Sequence, residues 1–521
     1  MRVKRLAPVL IAAAALAGCW PAGAVAAAPV TEDQALAIAS RVPAVQRELA
    51  RRPDARATGA SFRAGGNWVV TVFADGEARA QVEVDAASRR VVRVVTGLAA
   101  SFPLSRGGES GVGAREINSL WAWLPLSAIF VLAFFDWRRP FRLLHLDLLA
   151  VAALGVSYAF FLSRRLDLSV PLVYPPLVYV AVRALLAGIA PRQRPAPLTW
   201  LPIRALVGLT LGLLVARIAL LLADPFVMDV GYASAAGADR LLHGLELYTR
   251  GGAHFDTYGP VAYLAYVPFV LVWPFHESQQ YPAAAQAAAI AFDVLTVAGL
   301  VVLGRRLRPG TALGWALALA WVACPFTGLA LTSSSNDALV SALLVWTFAA
   351  IASPAARGAL GGAAAAAKFA PALIAPLLMR GPGQPNRRAP LIYAGAFIAV
   401  VLATLLPLLP PGGLKVFYDA TIGFQLDRFS PFSIWSRHPG LDWLQTVLQL
   451  GAIALAAGVA FVPRGPRTTA QVAAFAAAVL VAEQIPLQHW FYLYVPWFLP
   501  LYCAALFSEQ ARAAAGARSA A

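Results

Sequence analysis

The chain reads as a mainly α, polytopic helical membrane protein that carries a small N-terminal extracytoplasmic α+β domain. Three observations predict this. Apolar residues make up 59% of the 521 positions and charged ones only 13%. A mean hydropathy of +0.66 over so long a chain leaves many stretches able to cross a hydrocarbon layer about 30 Å thick as helices. Between residues 30 and 97 the apolar density falls and the pattern becomes that of a soluble module.

A formal charge of +16 would suit a nucleic-acid binder, but the arginines sit mostly in short runs at helix ends, as the positive-inside bias requires. They are read as topology signals, and no nucleic-acid partner is expected. Cys19, Cys324 and Cys503 lie far apart in apolar segments, which argues against a disulfide framework or a zinc site.

From the N-terminus, residues 1–28 match a secretory signal: Arg2, Lys4 and Arg5 precede an apolar run and the small-residue stretch Ala24-Val25-Ala26-Ala27-Ala28. Leu16-Ala17-Gly18-Cys19 also fits a lipobox, which would leave a lipidated Cys19, and an uncleaved anchor is the third option. All three export the segment after residue 28. Residues 29–106 form the α+β module, with a helix over 32–49 and strands over 68–73 and 80–84 joined at Asp75-Gly76. This hairpin, with Val84-Asp85-Ala86 and Arg89-Arg90-Val91-Val92, resembles a PepSY-type domain. Residues 107–118 read as a Gly-containing linker.

Counting crossings from an exported module makes 121–135 run inward. The segments 144–162, 168–190 and 201–222 then leave Arg192 and Arg194 inside and Asp229 outside, with Arg164 and Arg165 against the rule. The run 261–275 is short and interrupted by Pro268 and Pro274, so it is read as a juxtamembrane helix on the outer surface. That returns Arg305-Arg306-Leu307-Arg308 to the cytoplasm. Around Lys368-Phe369-Ala370-Pro371 an Ala-rich run breaks while both flanks are basic, which implies a hairpin of half-helices turning at Lys368. About eleven full crossings result, three of them accessory spans within 119–190 and the rest in a core over 191–510, with 511–521 as a cytoplasmic tail.

The polar residues then gather on one side. Asp224, Asp229, Asp239, Arg240, His243, Arg250, His254 and Asp256 share the first large outer loop of the core. Asp427, Arg428, Arg437 and His438 share a later one, and Asn336, Asp337, Gln488 and His489 stand at outer helix starts. Such convergence is what a membrane-embedded site for an extracytoplasmic substrate needs.

These residues carry a resemblance. A membrane helix ending in an Asp loop, then Leu245-Glu246-Leu247-Tyr248 and Tyr258-Gly259-Pro260, looks like the start of a GT-C glycosyltransferase, particularly the polyprenyl-phosphate-mannose-dependent glycosyltransferase family 87. Residues 361–371, with Ala-Ala-Lys-Phe-Ala-Pro, are similar to that family's Gly-rich Ala-Lys-x-x-Pro segment, and Ser335-Asn336-Asp337 resembles its polar helix start. The chain departs where the family commonly shows Tyr-Pro-Pro, and in its three additional crossings. The resemblance implies transfer of a hexose or pentose, such as mannose, from a polyprenyl-phosphate donor to an extracytoplasmic glycan or lipid acceptor at the cell membrane.

Sugar transfer from a lipid phosphate needs a base for the acceptor hydroxyl and cations for the departing phosphate. Asp229, the first carboxylate matching the resembled Asp-x-x-Tyr pattern, is the expected base, and the alternative is a cap on a helix starting at Gly231 or Tyr232. Asp256 is the rival base. Lys368 is the expected phosphate ligand, helped by Arg428 and His489, and the alternative is a Lys368 that snorkels or pairs with Asp293. Tyr232, Tyr258, Asn336, Asp337, Arg437 and His438 complete the candidate substrate contacts. No cofactor is expected and the loops show no metal-ligand spacing. A transporter or flippase for a lipid-linked or small anionic substrate is the rival class, and a noncatalytic scaffold is the third.

Overall fold

The computed structural model describes residues 30–51, 56–62, 67–74, 77–96, 116–163, 165–191, 197–248, 257–276, 279, 281–383, 387–427 and 432–510. The chain divides into two compact units, Met1–Ala100 and Ser101–Ala521. The expected signal, Cys19, the Asp75-Gly76 turn, residues 107–115 of the linker, Arg164, Arg192, Arg194, Arg250, His254, Asp256, Arg428 and the tail over 511–521 lie outside the described residues.

In the first unit the expected helix over 32–49 is two helices, α1 (Glu32–Ser40) and α2 (Pro43–Arg51). Pro43 cannot donate to the preceding turn, so the chain breaks before it. Thr31 caps α1 through a capping box with Gln34. Four antiparallel strands come next, in the order β1-β2-β3-β4: β1 (Arg56–Phe62), β2 (Asn67–Ala74), β3 (Glu77–Asp85) and β4 (Val91–Thr96). Alternation in the sequence marks β2 and β3 but not β1, whose Arg-Ala-Thr-Gly-Ala-Ser-Phe carries no apolar period. Val70, Val72, Ala80, Val82 and Val84 pack with Ala35, Ala39 and Val45 as one core. At the β3–β4 turn Asp85 accepts from the Ser88 N–H at 2.5 Å, and the Ser88 hydrogen bonds hold its carboxyl below the usual range.

The second unit is helical. Its long helices are α4 (Leu143–Leu162), α5 (Leu166–Ile189), α6 (Ile203–Ala223), α10 (Ala283–Leu307), α16 (Ala389–Leu405) and α20 (Asp442–Phe461), and among the described residues six helices, or seven if one bent pair is a single span, are long and apolar enough to cross a membrane. Shorter ones fill between them: α3 (Leu120–Leu132), α7 (Asp229–Leu242), α8 (Pro260–Leu264), α9 (Val267–Val272), α11 (Leu313–Ala323), α12 (Pro325–Thr332), α13 (Asp337–Ala349), α14 (Pro354–Ala367), α15 (Ala375–Arg380), α17 (Gly413–Tyr418), α18 (Phe424–Asp427), α19 (Ile434–Arg437), α21 (Thr469–Gln484) and α22 (Val495–Gln510). The break at Lys368 is present, with α14 ending at Ala367 and a 3-10 turn over Ala370–Ile374 before α15. The single juxtamembrane helix expected over 261–275 is instead the pair α8 and α9.

By length and composition the apolar run before Ser333 could cross a membrane as one helix, with Pro325 its break signal. It is bent by 64° between α11 and α12, because Pro325 lacks the N–H that would bond the carbonyl four residues back, at Trp321. That carbonyl finds other donors. Arg217 Nη1 reaches it at 3.3 Å, and the Thr327 hydroxyl turns toward it and toward the Cys324 carbonyl. The Arg217 charge, only 1% exposed, is balanced by Asp293, whose Oδ1 accepts from Nη2 at 3.0 Å and from Trp321 Nε1 at 2.8 Å.

Arginines also hold one face of the bundle together. Arg357 donates to the Ile351 and Leu378 carbonyls, each at 2.8 Å. Arg380 donates to Pro463, Arg464 and Gly465 carbonyls at 2.9, 2.6 and 2.7 Å, and Arg467 to that of Val459 at 2.6 Å. Arg306 reaches the Ala349 carbonyl and Arg308 that of Ser508. Arg183 on α5 pairs with Asp147 on α4 at 3.1 Å and with Glu509 on α22 at 3.0 Å. Helix C-termini carry unpaired carbonyls and partial negative charge, which guanidinium groups satisfy. These arginines therefore do more than signal topology, and Arg183 and Arg217 lie inside helices instead of at their ends. The ties put the ends of α10, α13, α15, α20 and α22 and the start of α14 on one face.

R217M removes a donor from the Trp321 carbonyl and leaves Asp293 buried without its counter-charge. It should destabilise the chain by about 3–5 kcal/mol, read as a lowered melting temperature in detergent, and R217M/D293N should recover most of the loss. Wild-type melting of R217M would contradict this account of the bend.

Candidate functional site

Helices α13 and α14, of 13 and 14 residues, start or end on the arginine face and reach only about 20 Å at 1.5 Å per residue. They stop roughly 10 Å short of a full hydrocarbon layer. Their far ends carry Asp337 and Lys368. The sequence placed both among the candidate contacts, and the fold brings them together.

Lys368 Nζ lies 2.5 Å from Asp337 Oδ1, with the two residues 8% and 1% exposed. Trp497 Nε1 on α22 donates to the same Asp337 oxygen at 2.9 Å, and the Ser335 hydroxyl donates to Oδ2. Three rings surround the ammonium: Tyr258 and Trp497 with centroids at 5.2 Å and Tyr494 at 6.0 Å, within cation–π reach. The alternative partner for Lys368, Asp293, is corrected: Asp293 is held by Arg217. Ion pairing at such depth is weak evidence for stability, and polar groups of this kind inside a membrane bundle are a functional-site hypothesis by default.

The loop before α7 is packed against this cluster. Met228 N donates to Ser333 O at 2.9 Å and Ser334 Oγ to Phe226 O at 2.7 Å. A Cβ at Gly231 would lie 2.0 Å from Ser334 O, and one at Gly259 would lie 2.1 Å from Ala366 O. Gly259, where the chain departs from Tyr-Pro-Pro, thus lets Tyr258 approach the end of α14.

Asp229 is exposed. The helix starts at Asp229 itself, with Met228 as N-cap and no side-chain cap bond, so the expected alternative, a cap on a helix starting at Gly231 or Tyr232, is corrected. Its Oδ1 accepts from Val230 N at 2.8 Å. Asp229 in the first turn also suits the positive end of the helix dipole.

The remaining candidates divide. Asn336 is 1% exposed and donates to Ser234 Oγ at 3.0 Å, so it belongs to the cluster. His489 is half-buried and its ring lies 6.4 Å from that of Tyr494, which packs tilted by 31° against Trp497 at 4.4 Å. It therefore borders the aromatic wall. Tyr232 packs edge-on against Phe275 at 5.1 Å, in an apolar cluster that also holds Ala338, Leu339 and Ala367. Arg437, half-buried, ends α19 and His438 is exposed. Asp239 pairs with His243 at 3.5 Å, and Arg240 donates to the Glu246 carbonyl at 2.9 Å. Trp497, Tyr494 and Ser234 were missed, because Trp and Tyr near a membrane-helix start read as an aromatic belt and a lone serine carries no period. Among the described residues no three His, Cys, Asp or Glu side chains gather as a metal site would require.

K368M leaves a buried carboxylate with neutral donors only. The expected loss is about 3–5 kcal/mol, measured as a drop in melting temperature, and D337N/K368M should restore most of it. If K368M and wild type melt together, the pair is not holding α13 to α14.

No protein-family model and no curated protein matches the chain.

Proposed function

We propose that the chain is a membrane glycosyltransferase of GT-C type, which moves a sugar from a polyprenyl-phosphate donor to an extracytoplasmic glycan or lipid acceptor. What supports this reading is one observation: a buried cation with its own carboxylate and three aromatic rings is packed against the loop that presents an exposed Asp229. In the proposed reaction Asp229 accepts the proton of the acceptor hydroxyl as its oxygen bonds the anomeric carbon. The bond from that carbon to the phosphate oxygen breaks, and the electron pair leaves with the polyprenyl phosphate. Lys368 turns from Asp337 toward that phosphate, and Asp337 keeps the Trp497 and Ser335 donors. The arginine-held face would be cytoplasmic by the positive-inside bias, which puts Asp229 outside and makes eleven crossings the matching count. The PepSY-like module would stand on the same outer side.

The breaks at Lys368 and at Cys324-Pro325 favour a second reading, a transporter or flippase, because discontinuous helices around a buried charge are how such proteins hold ions and anionic groups. Purified wild-type protein incubated with radiolabelled polyprenyl-phosphate sugars and glycan acceptors separates the two. The enzyme reading expects label in the acceptor, with D229N slowed by about a hundredfold or more while remaining folded. Movement of intact labelled lipid across proteoliposomes, without transfer and indifferent to D229N, would establish the transporter instead.

A further inference from the structure

Helices α4 and α5 lie in the accessory stretch over 119–190, yet both hold a residue at the entry to α22. Tyr492, which is buried, places its hydroxyl 2.6 Å from Ser157 Oγ on α4 and 2.9 Å from Ser169 Oγ on α5. Both serines are buried as well, and Ser157 Oγ donates to the Ser169 carbonyl at 2.7 Å. A hydroxyl has one proton to give. With the Ser157 proton on that carbonyl, Tyr492 donates to Ser157 and accepts from Ser169, so each hydroxyl in the chain has a settled role. The Tyr492 ring packs against Tyr158 and Phe161 of α4 with centroids at 4.8 and 5.3 Å. It also lies parallel to Phe326, the residue after Pro325, at 6.0 Å.

Tyr492–Tyr494 is a 3-10 turn that runs directly into α22. Gln484 Nε2 binds the Tyr494 carbonyl at 3.2 Å, the Tyr494 ring lies 4.4 Å from that of Trp497, and Trp497 delivers its indole N–H to Asp337 Oδ1 at 2.9 Å. At its far end α22 is tied to α5 again, through Glu509 and Arg183 at 3.0 Å. Both ends of α22 are thus referred to α5, with Trp497 on the first turn beyond the Tyr492 tie. Hydrogen bonds of this kind span only about 2.7–3.2 Å, so a small shift or rotation at the start of α22 takes the indole off Asp337. A satisfied buried polar network fixes one arrangement where apolar packing alone tolerates several. Asp337 is also the group that Lys368 must leave to meet a phosphate. An indole donor on the oxygen that Lys368 touches offsets part of the carboxylate charge left behind, and the separation becomes less costly.

We propose that Tyr492 is a positioning residue: held by Ser157 and Ser169, its hydroxyl sets Trp497 on Asp337 and so makes Lys368 releasable, which makes α4 and α5 working parts of the site. This deepens the transfer reading and rests on it for the phosphate that Lys368 meets. The placement of Trp497 by Tyr492 does not depend on what the ligand is.

Fluorine NMR of the full-length protein labelled with fluorotryptophan, with the Trp497 resonance assigned by W497F, reads this placement in wild type, Y492F, S157A and S169A. Y492F should move the Trp497 resonance, and S157A and S169A should move it in the same direction, while all three still melt cooperatively. For a polyprenyl phosphate that carries no sugar, Y492F and W497F should each bind about five- to tenfold more weakly than wild type. Y492F/W497F should bind no more weakly than W497F, because both substitutions remove one shared hydrogen bond. An unmoved Trp497 resonance in folded Y492F overturns the proposal even if the melting temperature falls, since the hydroxyl then adds stability alone. Additive losses in the double variant overturn it too. Should Y492F fail to fold, S157A and S169A, which keep the phenol, decide by the same resonance. A resonance that follows Tyr492, together with no affinity of wild type for polyprenyl phosphate, would keep the positioning role and remove the lipid-donor reading.

Discussion

An ammonium group in an apolar helix bundle is tolerable only with a counter-charge and enough hydrogen bonds to replace its water, and Lys368 meets that condition through Asp337. The pair lies where two helices of 13 and 14 residues stop. Neither helix could be lengthened by a turn without driving one partner away from the other. The short helices and the buried charges at their ends are therefore one constraint seen two ways.

That constraint is kept in place from a distance. Pro325 bends the chain so that the Ser333–Asp337 segment arrives beside the loop carrying Asp229, and the carbonyl it frees is satisfied by Arg217, with Asp293 neutralising the arginine. At the other end of α14, Arg357 closes the half-helix hairpin by binding the last carbonyls of α15. Gly231 and Gly259 admit the two backbone approaches that no side chain at those positions would allow. The polar cluster is thus fixed by backbone contacts and buried arginines.

Much of this was legible from residue order. Long apolar runs announced the six long helices, and the basic flanks around a short Ala-rich run located the break at Lys368. Asn336, Asp337 and Lys368 stand out as polar residues in an apolar chain, and Tyr258 through the resembled motif. What could not be read was pairing. Residue order offers Asp293 as a partner for Lys368, but in the fold Arg217 takes Asp293 and Asp337 meets Lys368. Trp497 was hidden because its indole serves both a lipid interface and a carboxylate, and the break between α1 and α2 was hidden because an apolar helical period continues across Pro43.

The claim that organises the rest is that Lys368 is the cation that meets the lipid phosphate. A cryo-EM map of the full chain with a bound polyprenyl phosphate tests it most directly. The account predicts phosphate density in hydrogen-bonding reach of Lys368 Nζ, beside the Tyr258 ring and on the side of the cluster that faces Asp229. Phosphate density elsewhere, with Lys368 still closed on Asp337, would contradict it.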